Sequence, residues 1–457
     1  MRFCGGWIDY KFGTDEVIIM EITIFSVIVL ILSLVFILQR RVECFLYAAI
    51  FFSGYSGTSV LNVFGFSLQP SFFFVIIYVV LRLIASKRIE YRLSGLLPVF
   101  FVYCVISVVF PLFIHDTELM IISQDGVVAP IRLSVSNFTQ LLYLLFDFVF
   151  LNALLRYRRS EQVKNNFIKY FIYGLLSVEL ICAYQALAFR VGLPFDTLFR
   201  QNVHGNIQGD RLYGPCIEAS MLCYYLIPAI AVVFRYRKNW FGITLILGAI
   251  LIGLATQSST FLVGMALLVL CCIPLVIRFF MVEHSVATWW KAIIGASIVL
   301  LAVLLLSEQI GESIEAFIVK LQRLNESGHD RFEAFEHMSA VGIRYPFGIG
   351  FGSGRSTDLL STWLCNIGIV GTALFLLAMS QIAIDGIRRR DIERFIPLAL
   401  VLVAMFTSVP EPYNLFVWYF IFYAMTGTKH RIATRKEVLY VVEGKVRKSE
   451  KRCDGIN

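Results

Sequence analysis

The sequence predicts an all-α, polytopic integral membrane protein of about thirteen transmembrane helices, with a large outward loop carrying short helices. Three observations carry that reading. Of its 457 residues, 58% are hydrophobic, 15% aromatic and only 16% charged, and the mean hydropathy is +0.75, well beyond a soluble globular chain. Apolar stretches of the roughly 20 residues that a hydrocarbon core requires recur along the whole chain. The loops between them alternate between basic and nearly neutral, the pattern that orients membrane helices.

The predicted spans begin near Val17, Val42, Pro70, Ser94, Phe138, Asn166, Cys216, Trp240, Ser259, Trp290, Leu359, Arg394 and Tyr413. The count hinges on a break at Thr256-Gln257-Ser258-Ser259, because losing that turn would move every later loop to the other side. Basic clusters fall in alternate loops: Arg40-Arg41, Lys87 to Arg92, Arg156 to Arg159, Arg235 to Lys238, Arg278 with Lys291, and Arg388-Arg389-Arg390. Loops near Ser67, Thr256 and Pro410 carry almost no positive charge, and His115 to Asn137 carries only Arg132. The expected orientation puts the N-terminus outside, the loop 307–358 outside and the basic tail 429–457 inside. That tail is a topology anchor with anionic membrane lipid as a second partner. Residues 1–457 then form one integral membrane domain.

Met1 to Glu16 lacks the basic, apolar and small-residue sequence of a removable signal peptide, so the first span is expected to stay. The ten cysteines are scattered without metal-type spacing and read as apolar packing residues. No solenoid-type repeat and no low-complexity segment is present.

Two outward loops break the orientation rule by holding several arginines. The first, Arg190 to Gly214, contains Arg190, Arg200, His204 and Arg211. A guanidinium fork fits the diphosphate of a lipid-linked donor, although arginines can also snorkel at an interface. The loop ends in Arg211-Leu212-Tyr213-Gly214-Pro215-Cys216-Ile217-Glu218. Here Pro215 fits a first helical position, and Glu218 either complements the helix end or faces a cavity as a functional carboxylate.

The second loop, Ser307 to Asp358, holds Arg323, His329, Asp330, Arg331, His337, Arg344 and Arg355. Arg331 to Met338 reads as a short amphipathic helix with Phe332, Phe335 and Met338 along one stripe. Gly348, Gly350, Gly352 and Gly354 form either a flexible turn or a cradle whose amides approach an anion. No strand precedes them, so they are not a nucleotide-binding fingerprint.

Taken in order, these motifs resemble the O-antigen polymerase and O-antigen ligase superfamily. They are Arg211-x-x-Gly214 before a span, Ser258-Ser259-Thr260 opening another, the arginine-bearing helix followed by Tyr345-Pro346-Phe347-Gly348-Ile349-Gly350, and Asn366-Ile367-Gly368-Ile369-Val370-Gly371 in the next span. The resemblance covers roughly Arg200 to Phe375. It implies a metal-independent membrane glycosyltransferase of surface polysaccharide biosynthesis, an O-antigen or exopolysaccharide polymerase acting on undecaprenyl-diphosphate-linked oligosaccharide, with no cofactor. It places Arg211 and Arg331 on the diphosphate. Arg200, Arg344 and Arg355 join them as candidate binding residues. The sequence departs from the pattern twice: no arginine follows Ser259-Thr260, and Ser356 to Trp363 holds no histidine of the kind ligase-like members carry. A chain-length regulator is a conceivable partner and nucleic acid is not expected.

An inverting transfer from a lipid diphosphate needs stabilisation of the leaving group and a base for the attacking hydroxyl. Arginine supplies the first without a metal cluster. Glu218, His204 and His337 are the candidates for the second. Tyr213, Phe332, Tyr345 and Trp363 are aromatics that either stack on sugars or belong to the interfacial belt. The rival reading is a polysaccharide or lipid transporter, because Asp147 and Glu179 fall inside predicted spans. Those acids either line an ion path or pair with a buried base such as Arg82.

Overall fold

The computed structural model describes residues 21–63, 66–86, 91–114, 116, 119–124, 126–199, 211–237, 239–282, 311, 327–389 and 391–426. It is built from helices. In chain order they are α1 (Ile24–Leu38), α2 (Glu43–Phe51), α3 (Pro70–Ser86), α4 (Leu96–Ser107), α5 (Val135–Leu155), α6 (Glu161–Val191) and the single turn α7 (Asp196–Phe199). After it come α8 (Ala219–Tyr236), α9 (Trp240–Ala255), α10 (Ser259–Val282), α11 (Ser327–Arg344), α12 (Leu359–Arg388), α13 (Phe395–Ser408) and α14 (Leu415–Met425). Four of them, α5, α6, α8 and α12, are long and apolar enough to cross a membrane by length and composition. Eight shorter apolar helices of 10–17 residues accompany them. The predicted starts at Val17, at Trp290 and in the tail 429–457 lie outside the described residues.

Local sequence sets the helix boundaries. Ser134 and Asn137 close a capping box at the start of α5, Ser160 caps α6, and Asp358 accepts the Ser361 amide at 2.9 Å to open α12, each satisfying an amide that no helical carbonyl can reach. Gly192, at φ +76°, ends α6 in the left-handed conformation. The break expected at Thr256 to Ser259 is a real turn between α9 and α10, with Gln257 at φ +50°.

An all-α expectation needs one correction. Short strands β1 (Glu21–Ile22), β2 (Leu61–Val63) and β3 (Phe66–Leu68) form an antiparallel sheet with Glu21 opposite Asn62 and Leu61 opposite Leu68. A hairpin pairs β4 (Met120–Ile122) with β5 (Val128–Pro130). These strands tie down inter-helix loops, whose backbone groups need partners wherever they pack against the bundle.

Contacts sort the loops into two ends. At one end Arg235, at the foot of α8, pairs with Asp391 at 2.7 Å, Arg389 donates to the Met425 carbonyl at 2.9 Å, and the Arg92 amide meets Asn152 at 2.7 Å. Tyr47 of α2 meets Asn166 of α6 there as well. At the other end the Gly57 amide meets the Pro215 carbonyl at 2.8 Å, Asn137 meets the Phe351 carbonyl at 2.8 Å, and Thr23 meets the Ser59 carbonyl at 2.7 Å. The first is the basic end, because the described clusters at 156–159, 235–237 and 388–389 all lie in its loops. The second is the loop end. It holds both sheets, α11 and every described candidate residue.

Exposure follows position in the bundle. Ten of the eleven residues of α14 are buried, the mark of a helix surrounded by others. By contrast α1 turns Leu30, Ile31 and Leu34 outward at 56–68% exposure. Large apolar side chains left on an outer helix face suit hydrocarbon as a solvent and water poorly. The described cysteines Cys104, Cys182, Cys216, Cys223 and Cys365 are buried and free of disulfides, in line with packing roles.

Candidate functional site at the loop end

Arg211 sits where the chain returns to the bundle. Its side chain lies across the end of α9, with Nε donating to the Thr256 carbonyl at 2.9 Å and Nη2 to the Gln257 carbonyl at 3.3 Å. These are carbonyls that a helix end leaves without amide partners. Two of its five N–H groups are so engaged. The backbone beside it is fixed by Gln185 of α6, fully buried, whose Oε1 accepts the amides of Tyr213 at 3.0 Å and Gly214 at 2.8 Å. Sequence reading passed over Gln185; its only signal is an amide among apolar residues late in a span.

Two expectations at this junction are corrected, those for Pro215 and Tyr213. Pro215 belongs to a tight turn rather than to the first helical position, because α8 begins at Ala219. Glu218 is the cap residue itself and makes no cap hydrogen bond; its carboxylate instead accepts the Ser220 hydroxyl. Tyr213 is fully buried and its hydroxyl donates to Asp196 at 2.6 Å, so it cannot stack on a sugar. Trp363, 1% exposed and edge-on to Phe375 at 4.4 Å, cannot either.

The glycine run is neither a loose turn nor an open cradle. It lies along a break in α12, where Gly368 at φ +67° and ψ −173° interrupts the helix. The carbonyls freed by the break are taken by the run: Ile349 N–H meets Cys365 O and Gly350 N–H meets Asn366 O, both at 2.9 Å. The Tyr103 hydroxyl donates to Phe347 O at 2.7 Å and Ile367 O at 3.2 Å. Asn366 locks the far side, its Oδ1 accepting the Gly354 amide and its Nδ2 donating to the Gly354 carbonyl, each at 2.8 Å. Glycine is required for closeness: a Cβ on Gly368 would stand 2.1 Å from the Pro346 carbonyl, and one on Gly350 would stand 2.5 Å from Pro111. Most of the run's amides are thus matched within the protein.

Arg355 follows directly and is the better placed cation. Its amide is held by the Ile122 carbonyl at 2.9 Å and its guanidinium pairs with Glu411. Glu411 lies between Pro410 and Pro412 in the turn joining α13 and α14. Those helices have 14 and 11 residues, about 21 and 16 Å of rise. Asp147 of α5 has no measurable exposure. Neither Asp147 carboxylate oxygen has a hydrogen-bond partner, because the neighbouring indole N–H of Trp418 is directed to the Pro412 carbonyl at 3.0 Å. The expected pairing with a buried base is therefore absent for Asp147 among the described residues. Tyr224 and Tyr413 lie within electrostatic reach of both Asp147 and Glu411.

Helix α11 forms the outer wall. It runs well beyond the predicted 331–338, and its packing stripe is Met338 and Val341, which join Ile121, Ile349 and Cys365. Phe332, expected on that stripe, is 61% exposed, because the stripe that meets α12 begins one turn later. Arg331 is exposed and makes no ion pair among the described residues. Arg344 pairs with Asp116 at 2.7 Å, and Tyr345 donates to the same carboxylate at 3.2 Å. Desolvation raises the Tyr345 phenol above its usual range, with Arg344 opposing and Asp116 adding to the rise. His337 donates from Nε2 to the Met120 carbonyl at 2.8 Å, leaving Nδ1 as its basic nitrogen. Arg200 and His204 lie outside the described residues.

The loop end thus gathers Arg211, Arg331, Arg344, Arg355, Glu218, His337 and Glu411. A cavity of about 140 Å³ lined by Ser94, Arg158, Gln381, Asp385 and Arg389 lies at the opposite, basic end. Among the described residues no three His, Cys, Asp or Glu side chains come together as a metal-type group. The fold defines a mostly helical protein with helices of membrane-crossing character and a polar, arginine-bearing end. Comparison with protein-family models, with curated proteins and with solved structures finds no match.

Proposed function

We propose that the chain is a surface polysaccharide polymerase, joining undecaprenyl-diphosphate-linked repeat units on the outer face of a bacterial cytoplasmic membrane. In this reading the protein crosses the membrane about thirteen times, with the basic end inside and the loop end outside. The observation that carries it is the gathering of Arg211, Arg331, Arg344 and Arg355 at the end opposite the basic loops. Orientation alone gives no reason for arginine there, and a diphosphate-bearing lipid does. The reaction needs no cofactor. Arginine neutralises the departing diphosphate while a carboxylate or imidazole removes the acceptor proton.

A second reading, transport of a polysaccharide or lipid, is favoured by two features. Asp147 is a buried carboxylate without a partner, and α12 is a discontinuous helix of the kind that builds transport sites. A ligase that moves finished polymer is the nearest relative of the proposed activity. One experiment separates the three: the lipid-linked glycans that accumulate in a strain lacking the gene. Single repeat units facing outward indicate a polymerase, complete polymer a ligase, and units confined to the cytoplasmic face a transporter.

A further inference from the structure

The polymerase reading names no single receiver for the acceptor's proton. We infer that Glu411 is the general base, a conclusion that rests on that reading and adds a residue to it. Two observations carry the assignment. Glu411 pairs directly with Arg355 of the candidate diphosphate set and has no second donor among the described residues, whereas Asp116 is held by both Arg344 and Tyr345. It sits between Pro410 and Pro412 in a turn where the Trp418 indole N–H donates to the Pro412 carbonyl at 3.0 Å, so its position is fixed by packing.

The other described candidates are less well placed. His337 is exposed, with one nitrogen tied to Met120, and Glu218 is engaged by Ser220 in its own helix cap.

The step follows from the ion pair. An arriving diphosphate competes for Arg355 and releases the Glu411 carboxylate. The acceptor hydroxyl oxygen then forms a bond to the donor's anomeric carbon while its proton passes to Glu411. The bond between that carbon and the phosphate oxygen breaks, and its electron pair leaves with the diphosphate. Arg355 stabilises that departing charge.

The test uses full-length protein in nanodiscs and, as probe, the undecaprenyl-diphosphate-linked oligosaccharides extracted from the deletion strain. Glu411→Gln keeps a hydrogen-bond acceptor toward Arg355 and removes the base. Extension should fall by about 100-fold or more while retention of the probe and the thermal unfolding midpoint stay at wild-type values. Glu411→Asp should recover part of the rate. Wild-type extension with an equally fast Glu411→Gln variant overturns the inference alone. A variant that loses probe retention as severely as extension also overturns it, since the carboxylate would then only position Arg355. If wild-type protein itself extends nothing, the polymerase reading fails and takes this inference with it.

Discussion

Arg394 at the basic end and Arg355 at the loop end both pair with a carboxylate, yet their side chains are 6% and 41% exposed. Arg394 meets Asp391 at 3.0 Å, donates to the Thr426 carbonyl at 2.8 Å and lies 5.2 Å from the centre of the Tyr423 ring. Asp391 in turn holds Arg235 at 2.7 Å, and Glu393 holds it from the other side. These groups form a closed network tying α8, α13 and α14 together. At the loop end Arg211 and Arg355 keep part of their surface open, and Arg331 and Arg344 are more exposed still. One residue type thus does two kinds of work: buried in a shared carboxylate network it fastens helices, and left partly open it can receive an anion.

Breaking the closed network should have the largest effect. Asp391→Ala leaves Arg394 and Arg235 without the carboxylate they share. An uncompensated buried charge costs about 3–5 kcal/mol, and Asp391 and Arg394 are both under 10% exposed. Thermal unfolding in detergent should show that loss as a lower midpoint, with polymer falling only as the folded protein does. An unchanged midpoint would mean the network is dispensable and would blur the distinction between the ends.

The open arginines should show the reverse pattern. Arg331→Ala should cut polymer formation by about 10²–10³-fold, the usual cost of removing one preorganised donor to developing charge, with no change in unfolding. Lysine should recover only part, because it keeps the charge and loses the fork. Arg211→Ala should lose polymer too, and should also lower the midpoint, because its guanidinium carries the Thr256 and Gln257 carbonyls. Polymer yield beside unfolding for both variants checks this. Full polymer from both would remove the arginines from the site.

The glycine run lies between these extremes, rigid in build yet placed in the active end. Gly350→Ala forces a Cβ onto a residue at φ +123° against Pro111. A strained backbone of this kind costs about 1–3 kcal/mol, so the midpoint should drop by less than for Asp391→Ala. A neutral result would mean that the run is the loose turn that its composition also allows.

Much of this was legible from the residues, and what was not has physical causes. Helix starts at Pro70, Trp240, Ser259 and Leu359 agree with the sequence reading because apolar periodicity and caps are local signals. So is the alternation of basic loops that separates the two ends. The break at Gly368 was hidden, because Asn366 to Gly371 is apolar enough to continue a helix and only the partner strand of backbone at Ile349 and Gly350 explains it. Glu411 was hidden for a similar reason. In sequence it is one acid between two prolines in a short neutral loop, and it becomes notable only when Arg355, distant in sequence, proves to pair with it. Tyr213 and Trp363 were misread because proximity to a loop does not reveal which way a ring faces.

The smallest expected effect concerns metals, and it bears on the loop end alone. A metal-dependent transferase holds a divalent ion with outward carboxylates, and the ion offsets the diphosphate charge. Here Asp116 is engaged by Arg344 and Tyr345, Glu411 by Arg355 and Glu218 by Ser220. Recruiting them to a cation would release arginines beside it, where like charges repel. Arginine and cation would compete for the same role. Extension of lipid-linked units by purified protein should therefore be unchanged in excess chelator. Activity that disappears with chelator and returns with magnesium or manganese would mean that one of these pairs opens to bind the ion. Glu218, bonded only within its own helix cap among the described residues, is the first to replace in that event.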